Sequence, residues 1–479
     1  MRPTLKSPLS RRHLSRHAGV LILSAALFIL AGPAGAQPVD IPPTWGGTLW
    51  DRPRLTGDWF GLRDEMGKKG VVLDLDMINI LQGNGTGGRR TEVDYDGLAN
   101  YELNVDTGKA GLWPGGFFRV KAISTFGDFV NNAAGGTLPV NVLGILPQPN
   151  NNTTSALQNL TFMQFLTKWF GAYAGKLYTL DGDANAFAHS ERTQFLNTAL
   201  NFNATLGLVP FSAYGGGLIF IPWEGATIAA TVLDPSGTAT NNDISQAFSD
   251  GQGVNAEGRT VIKPFGLVGH QDIGFYWSNK TRTSLTQDPA NIVRGLFDNR
   301  FPRIQDPGPI LRRIIAHFFP ELLTPSQPLN QKGSTWSIYY NFDQYLWSPE
   351  GAPDRGVGLF FRFGASDGNP NPVKYAYNVG FSFNGLVPGR PKDNSGIGWA
   401  RTQFSSDFVP FLRQKLNVGL EVEDAIELYY NAVITPWLNV SVDLQIVESA
   451  LNKDLDSSSR RLVNMDTAVV GGLRVYLRF

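Results

Sequence analysis

Between Leu438 and Ile446 every second residue is apolar: Leu438, Val440, Val442, Leu444 and Ile446 alternate with Asn439, Ser441, Asp443 and Gln445. A β-strand sends successive side chains to opposite faces, so this segment has one greasy face and one wet face. Residues 375–384 repeat the scheme, with Tyr375, Tyr377, Val379, Phe381 and Phe383 on one side, and so do 336–342 and 357–363. Read this way, the pattern predicts strands near 71–82, 97–107, 116–127, 157–168, 171–178, 213–221, 225–234, 259–267, 270–279, 334–347, 356–366, 374–386, 397–406, 423–434, 437–448 and 466–479, about sixteen in all.

The half-buried sheet of a soluble sandwich alternates too. Connection length separates the two cases. Tight links at 169–170, 222–224, 268–269 and 435–436 interleave with long stretches at 128–156, 179–212, 235–258 and 280–333. Bacterial transmembrane barrels have this asymmetry, with short periplasmic turns and long extracellular loops. The expected fold is therefore an all-β, 16-stranded antiparallel transmembrane barrel over 71–479. It follows a short N-terminal periplasmic segment, 37–70, with a helix near 64–69. Counting 193–205 as a further strand would put 235–258 on the wrong side, so it is read as part of a loop, with a short helix.

Tryptophans agree with this orientation. Trp113, Trp169, Trp223, Trp347 and Trp437 fall in or beside the short turns, with Trp399 close to another, as an interfacial aromatic girdle requires. In the last strand Leu473, Val475, Leu477 and Phe479 share one face. A final strand ending on Phe resembles the signal read by the barrel-assembly machinery. At the other end, Arg2, Lys6, Arg11, Arg12 and Arg16 precede an apolar run from Val20 to Ala31 and then Ala34-Gly35-Ala36, the order of a secretory signal peptide, 1–36. That run is too short for the ~20 residues of a spanning helix. Cleavage removes five basic residues and no acidic one from a chain with 41 of each, leaving a mildly acidic protein and no expectation of a nucleic-acid partner. With no cysteine there are no disulfides, thiolate metal sites or thiol nucleophiles. No cofactor is expected.

The run Leu55-Thr56-Gly57-Asp58-Trp59-Phe60-Gly61-Leu62-Arg63 resembles the start of the carbohydrate-selective OprB-type porin family. Asn104-Val105-Asp106-Thr107 with Gly111-Leu112-Trp113-Pro114-Gly115-Gly116 is similar to it. So are Gly175-Lys176-Leu177 leading to Asp183-Ala184-Asn185 and Phe195-Leu196-Asn197, then Ile426-Glu427-Leu428-Tyr429-Tyr430 and Thr435-Pro436-Trp437-Leu438. The resemblance spans about 55 to 479; residues 239–258 and 280–333 match nothing in it, and Val447-Glu448-Ser449 departs from it. It implies an outer-membrane channel, embedded in lipid, through which small sugars diffuse, and a monomer, although general porins of this strand number are often trimers. A general small-solute porin is the alternative.

A sugar-selective constriction should offer forked donors, carboxylate acceptors and aromatic faces. Alternation puts Glu102 with Asn100, Asn104 and Asp106 on one face, and Arg119 with Lys121 on another. Arg362 between Phe361 and Phe363, and Glu427 between Ile426 and Leu428, must point inward, because a cation at the lipid midplane costs ~2–4 kcal/mol. Lys176, Asp183 and Asn185 complete the candidate set, the last two on the 179–212 loop, expected to fold inward and narrow the channel. The run from Asp181 partly matches a calcium loop, but Ala186 and Arg192 replace the glycine and glutamate it needs. Gly83 to Gly88 fits a dinucleotide pattern that no helix follows, and reads as a hairpin loop. His189, His270 and His317 lack a nucleophile elbow or zinc spacing, so a hydrolase is not expected. An adhesin barrel is a third class, with an amphipathic helix over 310–323 in its longest loop.

Overall fold

A computed structural model describes residues 41–147, 154–292, 313, 317, 327–407, 410, 420–455 and 462–479. The segment expected to be a leader, 1–36, lies outside the described residues, and so does the segment 310–323 apart from Arg313 and His317. The barrel strands are β1 Val71–Gly88, β2 Glu92–Asp106, β3 Gly116–Gly127, β4 Thr154–Phe165, β5 Phe170–Tyr178, β6 Ser212–Phe220, β7 Ala226–Leu233 and β8 Gly253–Ile262. The remainder are β9 Gly269–Ser278, β10 Thr335–Trp347, β11 Gly356–Ser366, β12 Val373–Asn384, β13 Asn394–Phe404, β14 Val422–Thr435, β15 Leu438–Glu448 and β16 Asp466–Arg478. Each pairs antiparallel with the next, and β1 closes on β16 in the register Met77↔Leu477, so the sixteen strands form a closed barrel. Closure satisfies every backbone edge without disulfides.

All sixteen alternating segments are strands. Three depart furthest from the expected bounds: β1 and β2 run further, β2 starting at Glu92, and β8 is displaced, leaving 263–267 in the turn that follows it. β1 continues through the glycines at 83–88, where two register shifts against β16 pass over Gly85 and Gly87, and Gly87 (φ 67°) and Gly88 (φ 63°) take left-handed backbone. A side chain at Gly87 would overlap the Thr467 carbonyl. β8 begins at Gly253, because Asn255 and Glu257 are polar for the reason that they face the lumen.

The faces are inverted relative to a soluble protein. Leu428 is 52% exposed while its neighbour Glu427 is 0% exposed. Around the barrel Leu81, Ile228, Ile273, Phe381, Ile397 and Leu444 point outward, while Asn100, Asp272, Asn341, Arg362, Gln445 and Arg474 are buried inside. A continuous apolar outer wall is stable against hydrocarbon, not water. Exposed Trp113, Trp169, Trp223 and Trp347 stand at the short-turn end. Trp399 is not among them: it sits mid-strand opposite Ile426 and belongs, with Trp277 and Trp336, to the loop-side half.

Before β1, helix α1 (Leu62–Lys68) packs on Trp45, and its Arg63 donates to Leu73 O at 2.7 Å. Trp437 donates to Leu49 O at 2.7 Å, tying this segment to the β14–β15 turn.

Candidate functional site

The connection from β5 to β6, residues 179–211, drops into the barrel and is fastened to one side of it. Glu427 on β14 accepts the backbone N–H of Leu196 at 2.7 Å and of Asn197 at 2.8 Å. Arg362 on β11 donates to the Asp183 carboxylate at 3.1 Å and to the carbonyls of Ala188 at 2.6 Å and Leu200 at 3.0 Å. Asn341 on β10 donates to Asp183 at 2.9 Å and accepts from Asn185 at 2.7 Å. Arg474 on β16 donates to the carbonyls of Glu191 and Gln194, both at 2.8 Å.

Apolar packing finishes the attachment: Phe187, Phe195 and Leu200 bury against Phe360 and Tyr429. Glycines in the wall make room. A Cβ at Gly358 would overlap the Phe187 ring, and one at Gly364 would overlap Asn203 and Thr205. The loop from β3 to β4 follows it inward, with Glu423 accepting from Leu138 N at 2.9 Å and Val142 N donating to Leu196 O at 2.8 Å.

With the loop held against β10–β16, open space is left towards β1–β8. Two cavities lie there. One, of about 230 Å³, is lined by Asn100, Lys121, Glu191 and Arg192. The other, of about 310 Å³, is lined by Asn104, Arg119, Asn159 and Glu257. β2 and β3 order them along the axis: Asn100 and Lys121 are nearer the long loops, Asn104 and Arg119 nearer the short turns. Tyr178, Leu180 and Phe202 line both cavities and mark the waist between them.

Charges at this waist come as opposite neighbours. Arg119 donates to Glu102 at 2.8 Å. The Lys121 ammonium sits 3.9 Å from the centre of the Tyr178 ring. Arg192 bonds to Glu191 and stands 3.3 Å from Asp76. Burial works against the Glu191 charge, but Arg192 and then Lys121 outweigh it and hold the carboxyl below the ordinary glutamate value. Burial likewise opposes the Arg192 charge, and Asp76 and Glu191 overcome it and keep the guanidinium firmly protonated.

Of the residues singled out in the sequence, Glu102, Arg119 and Lys121 converge on the waist. Asp183, Asn185, Arg362 and Glu427 meet in the contacts that fasten the loop. Lys176 is a correction: it does not face the lumen. It pairs with the outward Leu160, and its ammonium is buried outside the barrel under the β7–β8 loop, bonded to Ala239 O at 3.1 Å, Asn241 O at 2.9 Å and Asn242 Oδ1 at 2.6 Å. Strand parity explains this, because Tyr173 and Leu177 take the inward positions of β5.

Glu191, Arg192, Tyr178, Phe202 and Glu257 were not anticipated. Asp76 could have been, since it sits between Leu75 and Met77 in an alternating run. No group of three His, Cys, Asp or Glu among the described residues is arranged to hold a metal. The Asp183 carboxylate is occupied by Arg362, Asn341 and the Asn203 N–H.

The profile of the carbohydrate-selective porin family, OprB, matches residues 90–479. The chain belongs to the OprB family. Porin B of Pseudomonas aeruginosa is 22% identical over 277 residues, covering 54% of this chain and 53% of that protein, so the OprB-family chain described here spans about half the length of the curated relative it matches. Among solved structures, the high-pH form of Pseudomonas putida OprB is 20% identical, with a TM-score of 0.71 over 90% of this chain and 100% of that one. The low-pH form is 16% identical, with a TM-score of 0.54 over 90% and 99%. These likenesses carry the fold. As an OprB-family barrel with an apolar outer wall, the protein resides in the outer membrane.

Proposed function

We propose that this barrel is a passive channel for small, uncharged carbohydrates, with the waist between the 179–211 loop and the β1–β5 wall as its selective element. The observation that carries the reading is the asymmetric fastening of the loop, which leaves a slot whose charges are already paired, Arg119 with Glu102 and Arg192 with Glu191 and Asp76. Paired charges offer hydrogen-bond donors and acceptors in fixed directions without a net charge to attract ions. A polyhydroxylated neutral solute exchanges its water for them; an ion gains less. Family membership supports this solute class.

In this reading Glu102, Arg119, Lys121, Glu191 and Arg192 contact solute, while Asp183, Asn185, Arg362 and Glu427 position the loop. Residues 1–36 are the export leader. β16 together with the Phe479 that follows it, whose N–H bonds to Leu75 O at 2.8 Å, is the segment offered to the assembly machinery.

The test is osmotic swelling of liposomes containing the refolded protein, with glucose, a disaccharide and amino acids of matched size. Faster entry of the sugars, reduced by Arg119→Ala or Glu102→Ala, is the expected result. Equal rates for sugars and amino acids would leave a general porin, and absence of swelling would overturn the channel.

A further inference from the structure

Sixteen strands joined in order leave seven connections at the short-turn end and one seam, where β16 meets β1. Each of the seven carries an exposed large apolar side chain in or beside it. Trp113, Trp169, Trp223 and Trp347 supply four of them; Phe265 between β8 and β9, Val387 between β12 and β13, and Ile434 just before the β14–β15 turn supply the others. A ring of this kind marks the level at which a barrel passes from hydrocarbon to the aqueous side. The seam has no turn of its own, and there the ring would break.

The chain ahead of β1 lies across that gap. The register between β1 and β16 begins at Asp76↔Arg478, and three hydrogen bonds hold the earlier residues over the edge it leaves: Arg63 donates to Leu73 O at 2.7 Å, Leu55 N to Arg478 O at 2.8 Å, and the Trp437 indole to Leu49 O at 2.7 Å. Leu49 and Trp50 are the two central residues of a tight turn, closed by Asp51 N on Thr48 O at 3.2 Å and by the Thr48 hydroxyl on the Asp51 carboxylate at 2.6 Å. Turns that face water favour Gly, Pro, Asn, Asp and Ser. This one presents Leu49, 45% exposed, and Trp50, 68% exposed, more than any tryptophan of the ring. The Trp50 indole N–H has no acceptor among the described residues. An apolar body with a free donor at its rim suits the boundary between acyl chains and headgroups.

We propose that the 48–51 turn is a membrane anchor: Leu49 and Trp50 seat in the periplasmic leaflet of the lipid and complete, at the seam, the apolar ring that the strand connections supply elsewhere. Lipid is the partner because the turn is continuous with that ring, joined to it through Trp437 of the β14–β15 turn, which holds the Leu49 carbonyl. The segment ahead of β1 is then fastened twice, to the barrel by hydrogen bonds and to the bilayer by two side chains, at the place where the first and last strands meet. The anchor is independent of the solute that the channel passes.

The chain contains no cysteine, so Leu49→Cys and Trp50→Cys each give the full-length protein a single thiol for a bimane label, and each keeps the other apolar residue. The labelled proteins are refolded into liposomes, with folding verified by heat-dependent gel mobility. The same label on Trp223→Cys gives the reference for the ring, and the label on glutathione the reference for water. Both turn labels should emit to the blue of the water reference and close to the ring reference, lose intensity when nitroxide-bearing phospholipid is included in the bilayer, and resist quenching by aqueous iodide. Water-like emission at both positions, with quenching by iodide and none by the lipid nitroxide, would overturn the anchor and leave the turn for a periplasmic protein.

Discussion

The Arg362 guanidinium and the Asp183 carboxylate meet 3.1 Å apart inside the barrel, with only 1% and 3% of their side chains exposed. One belongs to the wall and the other to the loop that narrows the lumen. Breaking a buried pair leaves the surviving charge unsolvated, at a cost of ~3–5 kcal/mol. Arg362→Met should therefore release the loop while the barrel, closed by its own strands, stays folded. Single-channel recordings should show a larger conductance and weaker sugar preference; an unchanged conductance would mean that the other contacts suffice to hold the loop.

Glu427→Gln is a milder version of the same change. Its carboxyl accepts two backbone N–H groups, and a buried N–H left without its acceptor costs ~1–3 kcal/mol. An amide keeps one accepting oxygen in place, so one of the two N–H groups should bear that cost. Proteolysis at the Arg192–Thr193 bond should be faster in this variant than in the native protein; equal rates would remove Glu427 from the attachment.

Acid should act on the slot late. Glu191 is held below the ordinary glutamate value, ~4.3, so its negative charge and the stabilisation it lends to the loop are complete above that value. Both disappear only as pH falls through the lower, folded value. Glu191→Gln should therefore move the reversal potential in a salt gradient towards anion preference at pH 7, and its difference from the wild type should persist down to about pH 4.5 and close below it. A difference between variant and wild type that has already closed near pH 6 would contradict the pairing.

Lys176→Met separates inside from outside. The ammonium clamps residues 239–242 on the outer wall, so its loss should expose the β7–β8 loop to protease and leave conductance and sugar preference as they were. Altered selectivity would place the residue in the pore after all.

The barrel was readable in the chain because lipid and water impose a strict period of two, clearest in β14 and β15, where Glu427 and Gln445 interrupt apolar faces. Glu102 and Arg119 were found by the same period, and they meet across β2 and β3. The period fails where the backbone is irregular. Glycine bulges hid the length of β1, and nothing in the spacing of 179–211 reveals which loop residues turn towards solute and which towards the wall. Glu191 and Arg192 therefore left no signal, and Lys176, singled out by its family motif and not by alternation, turned out to lie on the opposite face of its strand.

The glycines under the loop have a consequence for how such a channel can change. Positions 358 and 364 are a mould into which Phe187, Asn203 and Thr205 fit, so this half of the cylinder cannot vary without displacing the constriction. Among the described residues, no glycine of β2–β5 makes room for this loop in the same way. New solute preferences can be written there one side chain at a time, on a scaffold whose aperture is set by the other half.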